Sequence, residues 1–418
     1  MSNVLILSLL FSPDNVSTAH IMADLASDLK RFGHDVRVIT TTPHYNRDPV
    51  AEERQKLAKT RVPFFRKSNH DGVPVLHVAM PHKEKSVLRR LLSWSTFHVL
   101  STFAAVFTGP KPDVIISPSP PLTIGVSAWL VARRWKARFV YNVQEIYPDI
   151  AINLGALRSR PLIAAVRELE RFVYDRAAVV TVIAPRMEQR LIERGVPPSK
   201  LSVIPNFVDV SNLRPLEKDN AFARQQGLSG KFVVNYSGNV GPAQGLETLV
   251  RSAELLRDAD DIHFVITGDG TLYATIRTMV ANRGLTNVTL LPYQPFSLMS
   301  QVYSAADICV VPQAPATGFD AVPSKVYRIM ACARAVLAVT DPASDLAHLV
   351  HAASCGVVIQ AGEPEALAAL LREGSAPAER ARWAEMGQQG YAYVQRNNTR
   401  EVVTGRYDQI VRRLAGAS

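Results

Sequence analysis

Apolar positions along the chain gather in short continuous runs, and between those runs they recur with the period of an α-helix. The first run, Val4–Phe11, has no polar alternation, as expected of a parallel strand buried on both faces. Ser12-Pro13-Asp14-Asn15-Val16-Ser17 breaks it. Ile21, Leu25, Leu29 and Phe32 then mark one helix face, Gly33 stops the helix, and Asp35–Thr41 is the next strand. The same reading predicts strands at Val73–Met80, Asp113–Pro120, Arg138–Glu145, Ala177–Ala184 and Leu201–Pro205. After the turn-rich, aperiodic segment Pro205–Pro215 the alternation begins again. Strands are then predicted at Lys231–Gly238, Ile262–Gly270, Val288–Tyr293, Asp307–Pro312, Ala335–Asp341 and Cys355–Gln360. The expected fold class is α/β, with two Rossmann-like, doubly wound parallel sheets in tandem facing an inter-domain cleft. The expected domains are residues 1–206 and 213–395. A last helix, about 399–418, is a candidate to pack back on the first domain.

Length agrees with that division, since 418 residues exceed what one ordinary core holds. With 47% hydrophobic and 20% charged residues the chain is globular. The formal charge of +10 makes phosphates, acidic lipid headgroups or nucleic acid eligible partners. Nucleic acid ranks last, because no basic array interleaved with aromatics occurs. Cys309, Cys332 and Cys355 fit no metal-ligand spacing and suggest a reducing cytosol. The opening Met1-Ser2-Asn3 runs into a strand without a basic n-region, so no signal peptide is expected. No apolar run reaches the roughly 18 to 20 residues of a spanning helix; the nearest case, Leu91–Thr108, is expected to be interfacial or buried.

In open α/β sheets, ligands bind beyond the carboxyl ends of the strands. The segment Tyr236–Gly245 leaves a strand and opens a helix through Gly238, Asn239, Gly241 and Gln244, a junction that aims backbone N–H groups at an anion. The alternative is an ordinary glycine turn. Gly268 and Asp269 end the next strand. Pro292 and Tyr293 end a third, where the ring suits a base or plain packing. The loop Phe319–Lys325, with Asp320, Pro323 and Ser324, brings an acid, a hydroxyl and a lysine to a helix start. A cation is unfavourable to the helix dipole there, so Lys325 either invites an anion or is simply solvated. In the first half, Ser12 and Ser17 flank the loop after the first strand, while Glu145 and Asp149 follow a central strand. Such acids suit holding a hydroxyl or accepting its proton, and Asp149 alternatively caps a helix.

Taken together, Leu10-Phe11-Ser12-Pro13-Asp14-Asn15, Asn142–Asp149, Val203–Asp209, Tyr236–Thr248, Thr267–Gly270, Pro323–Tyr327 and Cys355–Ile359 resemble family 4 of the retaining glycosyltransferases of the GT-B fold. Within it they are similar to the bacterial subgroup containing colanic acid and fucosamine O-antigen transferases. The resemblance implies a nucleotide-sugar donor, usually UDP-linked and here an N-acetylated hexosamine or a deoxyhexosamine. It implies a lipid-diphosphate-linked glycan acceptor, and neither cofactor nor metal. It places Gly238, Asn239, Gln244, Gly268 and Asp269 near the diphosphate, Pro292 and Tyr293 near the base, and Asp320 near the donor sugar. Ser324 and Lys325 match the subgroup's Pro-Ser-Lys.

Three positions depart from the family pattern. Asn239 and Gln244 stand where many members carry Arg and Lys, and Arg328 stands where the second acid of a paired-acid motif falls. A guanidinium cannot accept hydrogen bonds from ribose. A histidine common in the first domain is replaced around Gln144-Glu145. On this reading Lys325, Asp320 and Glu145 are the candidate catalytic residues. The basic stretch from Arg54 to Lys67, with Ser86–Trp94, suggests contact with anionic lipid. A cytoplasmic location with peripheral membrane contact follows. A nucleotide-sugar 2-epimerase and a non-catalytic nucleotide-sugar binding protein are the alternative readings.

Overall fold

The computed structural model describes residues 1–45, 48–80, 87–153, 155–315 and 322–416, with side chains of the helix Val87–Phe107 described from residue 92. The chain divides into two units. The first comprises Met1–Ile152, Leu157–Pro205 and the helical residues from Glu401; the second comprises Asn153–Ala156 and Asn206–Arg400.

Among the described residues the first unit holds β1 (Asn3–Leu7), β2 (Asp35–Thr41), β3 (Ala58–Lys59), β4 (Phe65–His70), β5 (Val73–Val78), β6 (Val114–Pro118), β7 (Arg138–Val143), β8 (Val179–Val182) and β9 (Leu201–Val203). They form one sheet in the order β3-β4-β5-β2-β1-β6-β7-β8-β9. Its centre is parallel and apolar on both faces, because helices cover both sides. The antiparallel edge was not anticipated: the basic stretch Arg54–Lys67, where no strand was predicted, folds in part into a hairpin that pairs Lys59 with Arg66 and Ala58 with Lys67. Exposed lysine and arginine suit an edge strand, where they discourage pairing with another chain. The first strand also ends earlier than its apolar run, since Ser8 turns its hydroxyl onto the Leu10 carbonyl at 2.6 Å.

The second unit holds β10 (Phe232–Asn239), β11 (Ile262–Asp269), β12 (Val288–Leu291), β13 (Ile308–Pro312), β14 (Ala335–Val339) and β15 (Gly356–Ile359). These form a parallel sheet in the order β12-β11-β10-β13-β14-β15. Phe232, Val234, Tyr236, Phe264, Ile266, Ile308, Leu337 and Trp383 belong to its core. The order reverses between β10 and β13, the switch point where ligands bind in such sheets.

The helix Arg400–Gly416 supplies Val403, Tyr407, Ile410 and Val411 to the first unit's interior. Asn142 Nδ2 donates to Tyr407 Oη at 2.8 Å, Thr404 Oγ1 to Asp28 at 2.9 Å, and His34 Nε2 meets Asp408 at 2.7 Å. The helix Val87–Phe107 buries Phe97, Ser101, Ala104 and Ala105 but leaves Leu92, Val99, Phe103 and Phe107 more than half exposed. No helix among the described residues is long and apolar enough to cross a membrane.

Candidate active site

β10 and β11 run in register to their ends, pairing Gly238 with Gly268 and Asn239 with Asp269. Only glycine fits the first of these pairs. At Gly268, with φ +154°, an added Cβ would stand 1.8 Å from the Gly238 carbonyl oxygen. Beyond the strands, Val240 N donates to the Asp269 carbonyl at 2.8 Å and Gly270 N to the Asp269 carboxylate at 2.7 Å. Gln244 Oε1 accepts from Gly241 N at 3.1 Å and from Asn239 Nδ2 at 3.2 Å. A 3-10 turn, Pro242–Gln244, then leads through left-handed Gly245 into the helix Leu246–Leu255. Ala314 N, just past β13, donates to the Ala243 carbonyl at 2.8 Å. Two adjacent strand-end loops are thereby tied together.

Lys325 opens the helix Lys325–Ala331 beside these loops. Its Nζ donates to Tyr236 Oη at 2.9 Å and lies 4.0 Å from that ring's centroid. A Cβ on Gly238 would come within 2.6 Å of the same nitrogen. The residue keeps partial exposure, yet its ammonium end is packed against this strand. Burial, reinforced by the Arg328 guanidinium, lowers the Lys325 ammonium to about 7. Burial also raises the Tyr236 phenol, which remains a hydroxyl and donates onward to the Asn239 carbonyl. Arg328, one turn on, lies with Cζ 5.6 Å from the Phe296 centroid. Tyr293 and Phe296 are both about half exposed, at 47% and 46%. Pro292 accepts at its carbonyl from the Gln294 side chain at 3.0 Å. Pro323 and Ser324 precede Lys325 and are half-buried. Phe319 and Asp320 lie outside the described residues.

Sequence reasoning missed Tyr236, which reads as a core aromatic. The signal was present in the two-residue period of a strand, which sets Tyr236 and Gly238 on one face. Phe296 was missed because nothing local links it to Arg328.

In the first unit, Glu145 is half-buried in the bend after β7, and Gln144 beside it is buried. Gln144 Nε2 donates to Asn142 Oδ1 at 2.7 Å. Asp149 begins the short helix Asp149–Asn153 and is buried in an ionic cluster. Its Oδ2 accepts from Arg190 at 2.7 Å and also from Arg194. Arg194 reaches Glu170 at 3.0 Å, and Tyr174 Oη donates to Glu170 at 3.0 Å. Burial raises the Glu170 carboxyl, with Arg194 opposing it. This geometry commits one Asp149 oxygen to holding the loop. Ser12 donates to Gln55 at 2.7 Å, in a string continuing through Ser68 to His77, whose imidazole burial lowers to about 4. Ser17 is exposed at the start of the helix Ser17–Arg31. No group of three or more His, Cys, Asp or Glu suited to a metal occurs among the described residues.

Residues 18–206 match the family model of a glycosyl transferase 4-like domain, and residues 218–390 that of glycosyl transferases group 1. The chain is a family 4 glycosyltransferase of the GT-B fold. Escherichia coli WcaI, named as a colanic acid biosynthesis glycosyl transferase, is 27% identical over 387 residues, covering 88% of this chain and 91% of its own. Among solved structures, a sucrose-phosphate synthase from Thermosynechococcus elongatus matches with TM-score 0.77 at 18% identity, over 100% of both chains. Anabaena HepE in complex with UDP-glucose matches with TM-score 0.71 at 14% identity, over 98% of this chain and 99% of that one. At such identities the solved structures speak to the fold. For this glycosyltransferase the strand-end loops of the second unit lie where its fold class takes ligands.

Proposed function

We propose that this glycosyltransferase moves a sugar, with retained anomeric configuration, from a nucleotide-sugar donor on the second unit to a lipid-diphosphate-linked glycan acceptor served by the first. The supporting observation is Lys325, a lysine lowered to about 7 and set against Gly238 at a switch-point strand end. A donor diphosphate beside it restores the proton and meets a full ammonium. As the glycosidic C–O bond to the diphosphate breaks, negative charge grows on the leaving phosphate oxygen. The Lys325 ammonium stabilises that charge. The leaving phosphate takes the acceptor hydroxyl's proton on the same face as the new bond forms. Glu145 orients that hydroxyl, and Asp320 holds donor sugar hydroxyls.

UDP is the favoured nucleotide, because HepE, similar in fold, is described with UDP and UDP-glucose. The likeness to WcaI, named for colanic acid biosynthesis, supports a place in cell-surface polysaccharide synthesis, and an N-acetylated hexosamine or deoxyhexosamine is the donor sugar that the family resemblance implies. Tyr293 is the base platform by its exposure. The exposed apolar stripe Leu92, Val99, Phe103 and Phe107, together with the basic β3–β4 hairpin, suits peripheral contact with an anionic membrane on the cytoplasmic side.

Thermal-shift screening of nucleotide sugars, followed by transfer to a lipid-linked acceptor, tests the reading. Donor-dependent transfer that falls at least tenfold in Lys325→Met supports it. Epimerisation of a UDP-N-acetylhexosamine without acceptor, or unchanged turnover in Lys325→Met, overturns it.

A further inference from the structure

A second concave site lies in the first unit, at the end of the sheet opposite Glu145. It is an open pocket of about 700 Å³ at the amino ends of β7, β8 and β9. Arg133, Lys136, Arg138, Arg176 and Lys200 line it together with Trp129, and no Asp or Glu does. Arg138 is the first residue of β7, whereas Glu145 follows its last residue, Val143. Five steps of about 3.3 Å along the strand separate the two ends by about 17 Å.

A simpler account of these cations is that they complement helix dipoles. Arg133 and Lys136 sit at the carboxyl end of the helix Ile124–Trp135, and Arg176 closes the helix Arg160–Arg176. Magnitudes decide against that account alone. Each helix end carries roughly half a negative charge, so two ends offset about one unit. Lys200 Nζ is satisfied by a neutral group, the Asp175 carbonyl, at 2.7 Å. Even with Arg138 left aside, Arg133, Lys136, Arg176 and Lys200 leave about three positive charges uncompensated along the lining.

The guanidiniums also share an aromatic neighbour. Arg133 Cζ lies 5.8 Å and Arg176 Cζ 6.0 Å from the Trp129 ring centroid. Arg176 lies 5.3 Å from the Phe172 centroid, and Phe172 meets Trp129 edge-on at 4.9 Å. Two planar forks gathered beside one indole present paired donors to an anion. The volume suits a small ligand.

We propose that this pocket binds a phosphate-bearing ligand at a site separate from the donor loops of the second unit. Phosphate supplies the charge that the lining lacks, and its oxygens match the guanidinium forks. The phosphate comes either from a soluble diphosphate or from a lipid headgroup, and the test separates these sources.

Calorimetric titration of the full chain with inorganic pyrophosphate is compared between wild type and Arg133→Gln/Arg176→Gln, alongside sedimentation with phosphatidylglycerol-containing and pure phosphatidylcholine vesicles. Both side chains are exposed, so the variant is expected to fold and to keep its transferase kcat. If it does not fold, Lys136→Gln/Lys200→Gln replaces it. Loss of one pyrophosphate site, with the donor site retained, supports the proposal with a soluble ligand. A drop of at least tenfold in phosphatidylglycerol-dependent binding supports it with a lipid headgroup. Wild-type binding of neither probe, or equal binding of both probes by wild type and variant, overturns it. Because transfer activity is read separately, failure here is distinguishable from failure of the transferase mechanism.

Discussion

Lys325 Nζ donates to Tyr236 Oη, and Tyr236 Oη in turn donates to the Asn239 carbonyl. The lysine at the helix start is therefore wired to the strand end that carries the glycine turn. Nothing negative faces it in that relay, and burial holds its ammonium at about 7, well below the ordinary 10.5.

Proton uptake on donor binding is the first expected outcome. Above about pH 7 the unliganded lysine is mostly neutral, whereas a bound diphosphate favours the charged form. UDP binding near pH 8 should take up a proton, and UDP affinity should weaken as pH rises through that range. Calorimetry in buffers of differing ionisation enthalpy measures the uptake. Lys325→Met should abolish it, and equal uptake in that variant would sink the assignment.

The same lysine sets a stability slope. Between about 7 and 10.5 the unfolded chain keeps a proton that the folded chain has lost. The unfolded state binds more protons in that window, so unliganded stability gains from rising pH there. Chemical denaturation across this range should show the slope in wild type and a flatter profile in Lys325→Met.

Arg328 is the second cause of the lowered lysine. Arg328→Met should raise the midpoint for proton uptake above about 7, and Arg328→Glu should raise it further. The pH profile of UDP affinity reports the shift; an unmoved midpoint would remove Arg328 from the account.

Gly238 and Gly268 should fail differently when replaced by alanine. At Gly268 the new methyl meets a backbone oxygen that cannot retreat. Gly268→Ala should therefore cost about 3 kcal/mol or more in urea unfolding. At Gly238 the nearest atom is the mobile end of Lys325. Gly238→Ala should cost about 1 kcal/mol but weaken UDP binding and alter its proton linkage.

Arg194 bridges Asp149 and Glu170, both buried. Arg194→Met leaves two carboxylates without their shared cation and should destabilise by about 3–5 kcal/mol. Adding Glu170→Gln should recover part of the loss, because one charge is then gone. If the double variant is no more stable than the single one in the same denaturation assay, the bridge is not what the cluster contributes.

The sheets were legible because parallel strands buried on both faces leave runs such as Val4–Leu7 and Phe232–Tyr236. The β3–β4 hairpin was not, because the two-residue edge strand Ala58–Lys59 and its neighbour bearing Arg66 and Lys67 have the composition of a loop. Lys325 and Gly238 stood out locally, as a cation at a helix start and a glycine at a strand end. Tyr236 joins them only through a contact spanning 89 residues. Asp149 was visible as an acid after a strand, but Arg190 and Arg194 lie 41 and 45 residues away. Long-range ion pairs leave no local pattern, so its commitment to Oδ2 contacts had to be seen in three dimensions.

The helix Arg400–Gly416 adds its side chains to the first unit although it follows the second in sequence. On a ribosome, then, the earlier-made half must wait. Its Asn142, Asp28 and His34 acquire their Tyr407, Thr404 and Asp408 partners only after the whole second half has emerged. The interior of the first unit is therefore closed by the last helix of the chain to be made.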